Sequence, residues 1–196
     1  MTTRLPDDFY DRIKPRLHRR IGREVRLARR VLDLGCGSCD LVRYLAETYG
    51  QQVTGVDVAS GSFPRRRRTA DGGRFRCLRR DAAGMRFAED GAFDAAVSMW
   101  ALHEMDDPAA ALREVRRVLR AGGELFVMDF PRGSLAQRLW NEDYYRPAAL
   151  KQLIRRAGFQ QVQLRVIERG HVMWARGYRP ASTKSMKQKE PESCHG

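Results

Sequence analysis

The first part of the chain carries an apolar stripe with a helical period. Across residues 7–30 a hydrophobic side chain recurs every four positions, which predicts an amphipathic helix. The stripe consists of Phe9, Ile13, Leu17, Ile21 and Val25. Pro15 lies inside it and predicts either the start of a second helix or a kink in a continuous one.

From Val31 onward, short apolar runs alternate with helical patterns. Strands are predicted at 31–34, 52–57, 74–79, 92–98, 123–129, 161–167 and 171–176. Helices are predicted between most of them, at about 39–49, 60–70, 108–120 and 147–157, whereas residues 81–91 look mostly irregular. Such repetition is typical of the α/β class, and predicts a doubly wound, mostly parallel seven-stranded sheet with helices on both faces.

The last part of the chain departs from the strand–helix alternation in two places, a hairpin and a polar tail. Glu168-Arg169-Gly170 separates the last two strands and predicts a hairpin, so the last strand should run antiparallel to its neighbour. Residues 180–196 are polar and lack periodicity, which predicts a disordered tail. We therefore divide the chain into an N-terminal helical segment, 1–30, one α/β domain, 31–179, and the tail.

The charge of the chain is strongly basic, with a formal net charge of +13 over 196 residues. This balance favours anionic partners and keeps nucleic acid among the candidates. Five arginines lie on the polar side of the first helix, at positions 16, 19, 20, 23 and 26. The alternative is that they form a solvated helix face.

Location and redox state are suggested by what the sequence lacks. No apolar run is long enough to span a bilayer, and the N-terminus lacks the apolar core of a secretory signal, so a cytoplasmic protein is expected. The four cysteines are then expected to be reduced thiols: Cys36, Cys39, Cys77 and Cys194. The single CxxC of Cys36 and Cys39 has no second CxxC, so no metal site is predicted.

Acidic residues follow three of the predicted strands. Asp33, Asp57 and Asp81 stand at or just after the carboxyl ends of the first three strands, which in a parallel sheet meet at one edge. Gly35 and Gly37 let the backbone turn tightly and approach a ligand there. Asp57 follows Gly37 by 20 residues, the spacing at which an acidic residue binds ribose hydroxyls. The crevice therefore suits a ligand with a cationic head and a ribose.

Several segments together resemble a known family. They are DLGCGSC, GVDVAS, the Asp81 segment, FDAAVSMWALHEM and LREVRRVLRAGGELFVMDF. They are similar to the Rossmann-like (class I) S-adenosylmethionine-dependent methyltransferases, and most closely resemble the small ubiquinone/menaquinone-biosynthesis C-methyltransferases. The resemblance covers roughly residues 30–165 and implies S-adenosylmethionine as cofactor and a small-molecule acceptor.

The resemblance also assigns cofactor-binding residues by position. Asp33, Gly35 and Gly37 match the loop that holds the methionine part, Asp57 the ribose-binding carboxylate, and Asp81 the residue that accepts from the adenine amino group. The full predicted set is Asp33, Gly35, Cys36, Gly37, Asp57, Val58, Asp81, Ala82, Met99 and Trp100. Cys39 stands where the family commonly has a third glycine.

Three residues are predicted as catalytic. His103 follows the fourth strand and is the best candidate for a general base, with Glu104 or Asp129 able to orient or replace it. The alternative for His103 is a packing residue in a loop. Residues 131–147 hold Trp140, Tyr144 and Tyr145 and are expected to act partly as a lid, the alternative being a connecting helix whose aromatic residues pack inward.

Two other functions remain open at this point. The basic charge also fits an RNA or protein methyltransferase, although Ser98-Met99-Trp100-Ala101 lacks the Asn/Asp-Pro-Pro-aromatic signature of base-amine methylation. Cys39 in place of a glycine also fits a cofactor-binding protein without transferase activity. The methyl acceptor and the oligomeric state are left open by the sequence.

Overall fold

The computed structural model of the protein describes residues 5–63 and 74–181. Most of the helix predicted at 60–70, and all but the first residues of the tail predicted at 180–196, lie outside this part of the chain. Cys194 lies outside it as well. The predicted division into a helical segment, an α/β domain and a tail stays a prediction.

The described residues form seven strands and five α-helices in the predicted alternation. The strands are β1 (Arg30–Leu34), β2 (Gln52–Asp57), β3 (Phe75–Arg79), β4 (Phe93–Met99), β5 (Leu119–Asp129), β6 (Gln160–Ile167) and β7 (Val172–Tyr178). The helices are α1 (Phe9–Glu24), α2 (Asp40–Tyr49), α3 (Pro108–Val118), α4 (Leu135–Trp140) and α5 (Pro147–Arg156). Between β3 and β4 the chain is irregular, as the sequence predicted.

The strands form one sheet in the order β3-β2-β1-β4-β5-β7-β6. The pairings among β1 to β5 are parallel, and β7 pairs antiparallel with both β5 and β6. The predicted fold class is therefore confirmed, including the antiparallel last strand. The strand order reverses between β1 and β4, and in such sheets this switch point is where ligands bind.

Helices cover both faces of the sheet and form two cores. One core contains side chains of α1 and α2, among them Leu17, Ile21 and Leu45, all at most 1% exposed. The other contains side chains of α3 and α5, such as Val115 and Ile154, both 0% exposed. Because these helices are apolar on one side only, each core forms where an apolar stripe meets the sheet.

The N-terminal helix is shorter than predicted, and of the two alternatives for Pro15 the structure has the continuous helix. α1 runs unbroken from Phe9 to Glu24 and contains Pro15, so no second helix starts there. Pro15 is exposed, so water can solvate the Asp11 carbonyl that a proline cannot bond. The buried stripe on the other side supports the helix through that position. The chain leaves the helix at Val25, whose N–H donates to Ile21 O at 3.0 Å.

The cysteines also differ from their prediction. Cys39 and Cys77 form a disulfide, so the expectation that all cysteines are reduced thiols is wrong for this pair. Cys39 caps the start of α2 and Cys77 lies on β3, and packing of the helix against the sheet brings the two sulfur atoms together. Their separation of 38 residues along the chain gave no local signal for this pairing.

Candidate active site

A cavity of about 400 Å³ lies at the carboxyl ends of β1, β2 and β4, beside the switch point. All ten residues that the sequence predicted as cofactor-binding line it: Asp33, Gly35, Cys36, Gly37, Asp57, Val58, Asp81, Ala82, Met99 and Trp100. The parallel sheet therefore brings these residues together from four separate segments of the chain. Their role in binding stays a prediction.

The loop after β1 depends on glycine. Gly35 has a φ of +66° and Gly37 a φ of +48°, a left-handed conformation that favours glycine. A methyl group on Gly35 would overlap the side chain of Ala101, so the loop packs directly against the segment that follows β4. Gly35 N–H and Cys36 N–H both donate to Val56 O, at 2.9 and 3.1 Å. These contacts hold the loop between the ends of β2 and β4.

The three aspartates differ in their surroundings. Asp33 is 2% exposed, and burial, followed by the charge of Asp57, raises its pKa to about 8 from an ordinary value of 3.8. Asp57 accepts hydrogen bonds from Gly37 N–H at 2.8 Å and Ala59 N–H at 2.9 Å. Asp81 is exposed and accepts from Ala83 N–H at 2.8 Å. Asp33 is thus the carboxyl group that a cationic ligand would stabilise most.

The three predicted catalytic residues lie together. Glu104 lines the cavity, and its neighbour His103 places Nδ1 2.7 Å from Asp129 Oδ1. His103 Nε2 lies 3.2 Å from Glu142 Oε2 and 3.7 Å from Glu104 Oε1. Asp129 is fully buried, and its other oxygen accepts from His103 N–H at 3.2 Å. The imidazole therefore lies beside a buried carboxylate at one nitrogen and among further carboxylates at the other.

Neighbouring charges set the protonation of His103 and Glu104. Burial by itself lowers the pKa of His103, but the Asp129 carboxylate, with Glu104 and Glu142, raises it above its ordinary value of 6.5. Burial also raises the pKa of Glu104. The charge of His103 lowers it, and the carboxylates of Glu142, Asp129 and Asp57 raise it further. A histidine with this environment can hold or accept a proton near neutral pH.

Aromatic side chains form a wall beside this group. Trp100 stacks on Phe130 with ring centroids 5.2 Å apart, and Phe130 contacts Tyr10, Trp140 and Tyr144 at 4.7 to 5.4 Å. Tyr10 comes from α1, while Trp140 and Tyr144 belong to the segment predicted as a lid. Tyr144 is 3% exposed and Trp140 47% exposed. Part of this segment therefore packs inward, and its lid role stays a prediction.

Several residues at the site were missed by the sequence interpretation. Lys14, His18, Asp40 and Arg80 line the cavity, and Glu142 contacts His103. Lys14 and His18 each follow a residue of the apolar stripe of α1, which was a weak signal that they border a buried surface. Which part of the sheet α1 covers has no local signature, so their place at the cavity could not be predicted.

Three sulfur atoms meet behind the glycine loop. The sulfurs of Cys36, Cys39 and Cys77 lie within 4.8 Å of one another. Cys39 and Cys77 are bonded to each other, which leaves Cys36 as a buried thiol in this group. Burial, followed by the charges of Asp33 and Asp57, raises the pKa of Cys36 well above its ordinary value, so it stays a protonated thiol at neutral pH.

Comparison with known families agrees with this geometry. Residues 32–127 match the family model described as a methyltransferase domain. Together with the sheet order, this match shows that the chain carries a methyltransferase domain of the class I, S-adenosylmethionine-dependent type. The resemblance drawn from the sequence motifs is confirmed.

Individual relatives fall in the same class. Demethylmenaquinone methyltransferase of Thermus thermophilus is 40% identical over 106 residues, which cover 53% of this chain and 48% of the relative. Ubiquinone/menaquinone biosynthesis C-methyltransferase UbiE of Paracoccus denitrificans is 31% identical over 120 residues, covering 59% of this chain and 48% of the relative. The matches thus span about half the length of these curated relatives.

Solved structures show the same fold at low identity. The [4+2]-cyclase SpnF superposes with a TM-score of 0.69 at 20% identity, covering 85% of this chain and 82% of that one. A SAM-dependent methyltransferase from Archaeoglobus fulgidus gives a TM-score of 0.67 at 17% identity, covering 86% of this chain and 93% of that one. Among residues 5–63 and 74–181, no helix is long and apolar enough to cross a membrane.

The buried carboxyl group of Asp33 generates a prediction about stability and pH. Its pKa is about 8 in the folded protein and 3.8 ordinarily, so ionisation opposes folding increasingly as the pH rises from about 4 through 8. Asp33→Asn should therefore raise the free energy of unfolding by about 3–4 kcal/mol more at pH 8 than at pH 5. Urea unfolding at both pH values measures this difference.

The matched control is Asp81→Asn, since Asp81 is exposed in the same cavity wall. This variant should follow the pH dependence of the wild type. If Asp33→Asn raised the free energy of unfolding by the same amount at both pH values, that result would contradict the raised pKa of Asp33.

Proposed function

We propose that the protein binds S-adenosylmethionine in this cavity and transfers its methyl group to a small-molecule acceptor. The observation that carries the proposal is the buried carboxyl group of Asp33 beside a glycine loop and Asp57, all in one cavity at the switch point. Bound S-adenosylmethionine supplies a methyl group already activated by a sulfonium centre. The chain then needs to supply alignment, removal of water and, for weakly acidic acceptors, a base.

The chemistry of the donor and acceptor groups fits this cofactor. Asp33 supplies a negative charge for the ammonium group, which relieves the cost of its own burial. Asp57 uses its two oxygens on Gly37 N–H and Ala59 N–H, and the remaining lone pairs can accept from the two ribose hydroxyls. Asp81 lies two strands away from the glycine loop, on the side proposed to hold the adenine.

The aromatic wall supports a small and largely apolar acceptor. Trp100 lines the cavity and stacks on Phe130, and Tyr10 of α1 packs edge-on against Phe130. The Trp100 ring, which borders the cavity, favours a flat acceptor by stacking. The name of the Thermus thermophilus relative, a demethylmenaquinone methyltransferase, supports the same choice. Quinone-like or phenolic rings are therefore the first acceptors to test.

His103 is proposed as the general base. Asp129 holds its Nδ1, so Nε2 is the atom that accepts the proton from the acceptor. Glu104 and Glu142 lie near Nε2 and stabilise the imidazolium that then forms. Asp129 acts by orienting the ring, which distinguishes its role from that of a base.

The arginines of α1 give less support to an RNA acceptor. Arg16 forms an ion pair with Glu168, and the Arg20 guanidinium lies 4.3 Å from the centre of the Trp174 ring. At least two of the five arginines thus contact the protein itself. Methylation of RNA or protein remains the alternative, and a cytoplasmic location stays a prediction.

Replacing Asp57 tests the cofactor site. Asp57→Ala should weaken binding of S-adenosylhomocysteine by on the order of 1–3 kcal/mol, through the loss of charge-assisted hydrogen bonds to the ribose. Isothermal titration calorimetry measures the difference. Asp143→Ala serves as control, because Asp143 is 94% exposed and absent from the cavity wall. Failure of the wild type to bind would overturn the proposal, and equal binding by Asp57→Ala would overturn the role of Asp57.

The base proposal predicts a change in the pH dependence of turnover. The base must be unprotonated, so kcat should rise through a pKa above 6.5, which Asp129 helps to raise. Asp129→Asn removes that charge, and the rising limb should move to lower pH while the maximal kcat falls about tenfold or more. Release of S-adenosylhomocysteine with a phenolic or quinol acceptor measures both. A rising limb that stays in place, or moves to higher pH, would contradict this assignment.

A further inference from the structure

The cavity wall is rich in carboxylates. Six acidic side chains line it: Asp33, Asp40, Asp57, Asp81, Glu104 and Asp106. Among the described residues of the wall only Lys14 and Arg80 carry a permanent positive charge. A ligand with an amino-acid end brings a carboxylate as well as an ammonium group, so the position of these two cations decides where that carboxylate can lie.

The two cations lie at different ends of the cavity. Arg80 directly follows β3, and its N–H donates to Asp57 O at 2.9 Å. Lys14 extends from α1 toward the start of α2, where its Nζ lies 3.2 Å from Asp40 Oδ2. Because β2 lies between β3 and β1, Asp57 separates the Arg80 end from the glycine-loop end. Lys14 is therefore the cation on the side of the glycine loop.

The backbone of the glycine loop has few donors left for an anion. Gly35 N–H and Cys36 N–H donate to Val56 O, and Gly37 N–H donates to the Asp57 carboxylate at 2.8 Å. Cys39 N–H donates to Cys36 O at 2.8 Å. Because most N–H groups of the loop are engaged, a side-chain cation is the partner that would add most to the binding of a carboxylate at this end.

His18 does not supply that positive charge. It lines the cavity one turn after Lys14 and is 9% exposed. Burial, together with the charge of Lys14, lowers its pKa to about 4 in spite of Asp40, so the imidazole is neutral at pH 7. An ammonium group has three donors, and Lys14 uses one of them on Asp40, which leaves two for a ligand.

We propose that Lys14 binds the carboxylate of the amino-acid part of the cofactor and so makes α1 one side of the cofactor site. The inference rests on the proposed function and adds the residue that completes the methionine end of the site. Asp33 and Lys14 then form a matched pair of charges for the ammonium and the carboxylate of one ligand. Asp40 holds Lys14 in place through their ion pair.

The test compares two ligands that differ in the amino-acid end. S-Adenosylhomocysteine carries the carboxylate, whereas 5′-methylthioadenosine has the same nucleoside and thioether without it. Lys14→Gln should raise the Kd of S-adenosylhomocysteine about tenfold, as expected for one lost charge-assisted hydrogen bond. It should leave the Kd of 5′-methylthioadenosine within about twofold, and Lys14→Arg should restore most of the lost affinity. Calorimetry measures all of these values.

Arg43→Gln is the matched control. Arg43 also pairs with Asp40, at 3.4 Å, but lies outside the cavity wall, so its loss should leave both affinities unchanged. Equal weakening of both ligands by Lys14→Gln, or an unchanged Kd of S-adenosylhomocysteine, would overturn the role of Lys14 while leaving the proposed function intact. Failure of the wild type to bind S-adenosylhomocysteine would overturn both.

Discussion

The buried carboxyl group of Asp33 is the constraint on which the site depends. It ends β1 at the point where the strand order reverses, only 2% exposed and close enough to Asp57 for the two charges to repel. Burying an ionised group without a partner in a low-dielectric interior costs free energy. In the protein without a ligand this cost raises the pKa of Asp33 and favours its neutral form. A cationic ligand in the cavity relieves this cost, which links the local chemistry of one strand end to binding.

The rest of the cavity follows from the packing of elements around that strand end. The glycine loop brings backbone close to the ligand space, and α1 borders that space with Lys14 and contacts the aromatic wall through Tyr10. The same helix thus contacts the proposed cofactor end through one residue and the aromatic wall through another. His103 packs against Phe130 and Tyr144 of that wall, and its Nδ1 lies 2.7 Å from Asp129 Oδ1.

The sequence predicted features with a local signature and missed those set by packing between distant elements. Strand ends carry their aspartates and glycines in short motifs, so the ten cavity residues could be identified before the structure. The disulfide of Cys39 and Cys77, the place of Lys14 at the cavity and the contact of Glu142 with His103 each depend on how elements meet in space. A periodic pattern states which face of a helix is buried but not what that face covers.

The most direct test of this account is the proton balance of cofactor binding. If the ammonium group of the ligand pairs with Asp33, the pKa of that carboxyl group falls from about 8, and binding at pH 7 releases up to one proton. Calorimetry of S-adenosylhomocysteine binding in buffers of different ionisation enthalpy counts that proton, and Asp33→Asn should abolish its release. Binding without proton release, or an unchanged release in Asp33→Asn, would contradict the central role of Asp33.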